Sequence, residues 1–167
     1  MTPERTIPPR EADERVTLTA FLDFQRATLA VKCDGLTDEQ LRERAVPPSS
    51  LSLLGLVRHM AEVERNWFRP VLGGEQMPAI FSPDMDREAS FRDVPAADIA
   101  EALGIWHAEC EHSRALAAAA PTLDVTGDRG GGRFSLRWVM VHMIEEYARH
   151  NGHADLLRER IDGLTGE

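Results

Sequence analysis

Apolar residues in this chain recur mostly every three or four positions, and alternating apolar–polar runs are scarce. That period is the mark of helices that bury one face. Its strongest instance lies near the C-terminus, between Leu136 and Asp162. There Leu136, Val139, Met143, Tyr147, Ala154, Leu157 and Ile161 form one stripe, uninterrupted by proline. Ser135 stands where a helix N-cap is favoured, and Gly163 where a helix stops. A second long helix is predicted from a Ser49-Ser50 cap to about Leu72, ended by Gly73-Gly74. Its wide apolar face, Leu53, Leu56, Val57, Met60, Val63 and Trp67 among others, contains His59. Upstream, Val16, Phe21, Leu22, Leu29 and Val31 fit a helix over 13–32, closed by Asp34-Gly35. Thr37-Asp-Glu-Gln40 has capping-box spacing and opens a short helix that ends before Pro47-Pro48. Pro95 to Ala120 reads as another long helix, with Ile99, Leu103, Trp106, Cys110 and Leu116, and Pro121 ends it.

The segments between these helices read as connections. Residues 73–94 mix Gly, Pro, Asp and Ser and form a long crossover loop of the kind that often carries function. Asp128-Arg-Gly-Gly-Gly-Arg133 reads as a mobile glycine-rich turn, without P-loop spacing. Residues 1–10, with three prolines, read as an N-terminal arm, which leaves 11–167 as one domain. Four long helices with almost no β-pattern make an all-α four-helix bundle. The long second connection lets the second and third long helices run in the same sense.

Composition narrows the functional classes. Hydrophobic content of 43% and charged content of 28% are those of a soluble globular protein. No run of about 18 apolar residues is present, so no membrane span is expected. The N-terminus lacks the apolar stretch of a secretory signal, and a cytoplasmic location is expected. A net charge of −9 disfavours nucleic acid as a partner. Cys33 and Cys110 lie far apart without a CxxC motif, so each reads as a small buried hydrophobe.

The chemistry concentrates on the last helix. His142, Glu146 and His150 are four residues apart and share a face. At ~100° per residue, His153 falls only ~20° from His142. Glu146 and His150 lie at the seam between this stripe and the apolar one, where a metal site in a bundle core would need them. A third donor must come from another helix, and His59 is the best candidate. Two histidines and a glutamate form a familiar ligand set for catalytic zinc, and nickel or iron accepts it too. His142 or His153 could replace one member, or His153 and Asp155 could orient a ligand. The plainer alternative for each residue is a hydrogen-bonded core histidine or a solvated carboxylate. Glu145 points away from the seam, and His107 and His112 read as surface residues.

The segments Leu56-Val-Arg-His59-Met-Ala-Glu62 and Glu146-Tyr-Ala-Arg-His150-Asn-Gly-His153 resemble the DinB superfamily, specifically its actinobacterial mycothiol-transferase-like branch. The resemblance extends over nearly the whole chain, including Leu136-Arg137-Trp138 and the closing Ile161-Asp-Gly163. It implies an up-down-down-up bundle with a divalent metal at one end. Many members use three histidines, with an HxxxH pair in the last helix. Glu146 in the first position of that pair instead resembles the mycothiol-dependent maleylpyruvate isomerases, whose set is His, Glu and His. Carried over by position, the metal ligands are His59, Glu146 and His150. The implied activity is S-transfer from a low-molecular-weight thiol cosubstrate of the mycothiol type to a small electrophile. Trp67, Phe68 and the 73–94 loop are expected to wall the pocket, with Arg58, Arg65, Arg137 or Arg149 available for a carboxylate. Two other readings remain: metal-assisted hydrolysis, and a non-catalytic helical binding module of a stress response. A homodimer through the bundle faces fits any of them.

Overall fold

Helix-forming periodicity, capped at defined residues, accounts for most of the architecture. A computed structural model describes residues 4–81 and 88–166. In chain order the helices are α1 (Glu14–Cys33), α2 (Asp38–Arg42), α3 (Leu53–Phe68), α4 (Ala89–Arg92), α5 (Ile99–Ala119) and α6 (Leu136–Asp162). A π-helical turn, Arg69–Gly73, extends α3, and a 3-10 turn, Val94–Ala96, precedes α5. Each long helix begins on a side chain that satisfies an otherwise orphaned amide. Asp13 accepts from Val16, Ser52 from Gly55, Asp98 from Glu101 and Ser135 from Trp138. Thr37 and Gln40 form the expected capping box of α2. Gly163, at φ 82°, closes α6 in the left-handed conformation.

Two helix starts differ from the sequence expectation. The cap of α3 is Ser52, not Ser49-Ser50, and α5 begins after Asp98, with Pro95 in the preceding 3-10 turn. The glycine-rich segment is also not a bare turn. Strands β1 (Thr126–Arg129) and β2 (Gly132–Ser135) pair antiparallel around Gly130 and Gly131, whose φ values are 56° and 81°. Consecutive positive φ angles make the tight turn that joins two right-twisted strands, and glycine adopts them without steric cost. The crossover contains α4 as a folded element, and its residues 82–87 lie outside the described ones.

α3 packs chiefly on α5, and α1 on α6, while α3 also crosses α6. Leu29, Leu53, Leu56, Met60, Val139, Met143 and Tyr147 are among the fully buried side chains at their junction. A polar network crosses this core. Glu64 on α3, with no exposed surface, accepts both Nε and Nη2 of Arg26 from α1 at 2.8 Å. It also accepts the Tyr147 hydroxyl of α6 at 2.8 Å, and that hydroxyl accepts the Trp106 indole N–H of α5. One network thus draws a group from each of the four long helices. Cys33 and Cys110 are buried and unbonded to each other. Burial pushes the Cys33 thiol up to about 12 and raises Cys110 as well, so neither is a ready nucleophile. No described helix is long and apolar enough to cross a membrane.

Candidate metal centre

The stripe on α6 meets α3 across a cleft of about 480 Å³. His59, Glu62, Asn66 and Trp67 line it from α3, and His142 and Glu146 from α6. His59, Glu146 and His150 each bring one donor atom to within 4.8 Å of the others. The His59 and His150 rings meet edge to face, with centroids 4.7 Å apart. Glu146 Oε2 lies 3.6 Å from His150 Nε2. A one-turn spacing on α6 places the carboxylate and the imidazole side by side, and α3 supplies the opposing imidazole. Phe91 of α4 braces His59, with ring centroids 5.2 Å apart.

This donor set suits a divalent cation. Three donors this close together can share one ion, and two imidazoles with one carboxylate match a borderline metal. His150 keeps only 9% of its surface exposed. Burial lowers its pKa to about 3, and the neighbouring His59 and His153 add to the effect. The ring is therefore neutral at physiological pH, with a lone pair to offer. His153 Nδ1 sits 3.3 Å from His150 Nδ1 and can fix its tautomer, which leaves Nε2 facing Glu146.

Other residues singled out in the sequence take different places. His142 is outside the three-residue cluster; its Nε2 lies 3.6 Å from Glu146 Oε1, and its ring packs against Trp67 and Trp138. Asp155 pairs with Lys32 of α1 at 2.8 Å. Glu145 is exposed and pairs with Arg149. His107 is exposed, but His112 is half-buried and bonds Glu75 at 3.0 Å. Trp67 lines the cleft, whereas Phe68 is turned into the core, 5.8 Å from the Arg26 guanidinium. Arg65 pairs with Glu109, and Arg137 with Glu14 and Asp124. Arg58 is buried with its guanidinium over the Phe81 ring at 4.5 Å, away from the cleft lining.

The hairpin contributes a cleft residue that periodicity could not reveal. Arg129 of β1 lies 4.0 Å over the Trp67 ring and donates its Nε–H to the Asn66 carbonyl at 2.5 Å. The Gly130-Gly131 pair was the available signal, since two such glycines favour a hairpin and fix where Arg129 must sit. Gly127 lets the hairpin dock, because a Cβ there would collide with the Val71 carbonyl.

A family model described as mycothiol-S-transferase matches residues 17–163, and the chain belongs to that family. No curated protein matches it.

Proposed function

We propose that this member of the mycothiol-S-transferase family joins the sulfur of a mycothiol-type thiol to a small electrophile, with a divalent ion, zinc, held by His59, Glu146 and His150. The same reading takes the four long helices as an up-down-down-up bundle of the DinB type. One observation carries the proposal: three donors of the right kind, from two distant parts of the sequence, converge at the side of a cleft large enough for a small molecule.

A bound divalent ion with an open position lowers the pKa of a thiol there, so that the sulfur reacts as thiolate at neutral pH. Glu146 and His150 would hold the ion from α6, and His59 from α3. His153 keeps the His150 ring oriented. Trp67 and Val63 give the electrophile an apolar wall and limit the water around it. The sulfur electron pair forms the new C–S bond, and the thiol proton passes to solvent. A leaving group such as halide departs with the electrons of its bond to carbon. With an activated alkene, a solvent proton closes the adjacent carbon instead.

The test is incubation of zinc-loaded protein with mycothiol and a chlorinated aromatic or a maleyl-type electrophile, followed by mass analysis for the S-conjugate. Conjugate should form only with both thiol and metal present. Electrophile turnover at the same rate without thiol would refute the transferase reading in favour of hydrolysis.

A further inference from the structure

Along α6 the four-residue stripe continues past His142 to Trp138, which stands just beyond the cleft lining, against Trp67 and His142 of that lining. Trp67, Phe134, Trp138 and His142 form one aromatic group, with ring centroids between 4.5 and 5.2 Å. Trp138 and His142 are stacked nearly parallel, at 19°. Trp138 keeps 44% of its surface exposed, although four aromatic rings in contact would ordinarily be driven inward. Trp138 lies eight residues from Glu146, about 12 Å along the helix at ~1.5 Å per residue.

We propose that this aromatic end is the subsite for the non-thiol end of the cosubstrate, and that its occupant is a saturated, hydroxyl-bearing ring. The inference rests on the thiol-transferase reading and names the part of the thiol that this end recognises. The separation fits a two-ended ligand: sulfur at the His59, Glu146 and His150 end, and a ring-bearing extension on Trp138. A half-exposed indole suits a ligand with one apolar C–H face and one solvated face. The Asn66 amide and the Arg129 guanidinium lie beside the rings, and both are hydrogen-bond donors for hydroxyls. A cationic occupant is disfavoured, because Arg129 already places positive charge over Trp67. Mycothiol answers to this description, since its cysteine is amide-linked to an amino sugar bearing a cyclitol.

Two arms test it. In zinc-loaded protein, Trp138→Ala should raise KM for mycothiol about tenfold with kcat little changed. KM for N-acetylcysteine, which lacks the ring extension, should stay within twofold. An equal rise for both thiols, or a rise confined to the electrophile, would overturn the assignment. The second arm needs no turnover, and so separates a failure here from a failure of the transferase reading. S-methylated mycothiol, whose sulfur cannot act as a nucleophile, is titrated into ¹⁵N-labelled protein. The indole N–H signals of Trp67 and Trp138 should move, while that of Trp106, buried and bonded to Tyr147, should not. Stationary Trp67 and Trp138 signals at saturating ligand would refute it.

Discussion

Single residues here do distinct physical work, and their variants should fail in distinct ways. Glu64 and Arg26 are both buried, so without Glu64 the Arg26 charge is left with only the more exposed Asp23 as its carboxylate partner. Glu64→Ala should therefore cost about 3–5 kcal/mol of stability, read from the midpoint of denaturant unfolding. A loss no larger than that of a surface substitution would show the pair to be dispensable. Glu109 behaves differently. Burial raises its pKa, but hydrogen bonds from Arg69 and Arg65 outweigh this and hold it below its ordinary 4.5. A depressed carboxylate stabilises the fold above its unfolded pKa, and that contribution disappears as pH falls through the folded value. Stability should thus decline below about pH 4.5, and Glu109→Gln should flatten the decline. The sequence made the Glu146–His150 pair legible because helical spacing alone sets those two side by side. It could not show that His112 bonds Glu75 or that Asp155 faces Lys32, since both are pairings between distant segments.

At the scale of elements, caps decided what the periodicity left open. The final helix was readable from Leu136 to Asp162 because Ser135 and Gly163 bracket an uninterrupted stripe. The cap expected at Ser49-Ser50 falls instead at Ser52, whose hydroxyl accepts from the amide three residues on. The hairpin escaped because Thr-Gly-Asp-Arg and Gly-Arg-Phe-Ser carry little β-branched alternation, and its register comes from two glycines and docking on Val71. Ser135→Ala should lower stability by about 1 kcal/mol through loss of the α6 cap. Gly127→Ala should push the hairpin off the turn after α3 and carry Arg129 away from Trp67. Tryptophan emission should shift in that variant while far-UV helical signal stays near wild type. An unchanged emission spectrum would mean that the hairpin does not hold Arg129 in place.

Across the whole molecule, two sets of contacts converge on the pairing of α3 with α6. The Arg26, Glu64, Tyr147 and Trp106 network ties all four long helices together, and Phe91 of α4 braces His59 from outside. Gly55 permits that bracing, since a Cβ there would lie 2.9 Å from the Phe91 ring. These contacts present an imidazole from the first half of the chain to a carboxylate and an imidazole in the second half. The family match spans residues 17–163, and the three converging donors all lie within that span. The most direct test is the metal content of natively purified protein, by elemental analysis, beside that of His59→Ala. The account predicts about one divalent ion per wild-type chain and almost none in the variant. Equal metal content in the two proteins, or none in the wild type after incubation with excess zinc, would contradict it.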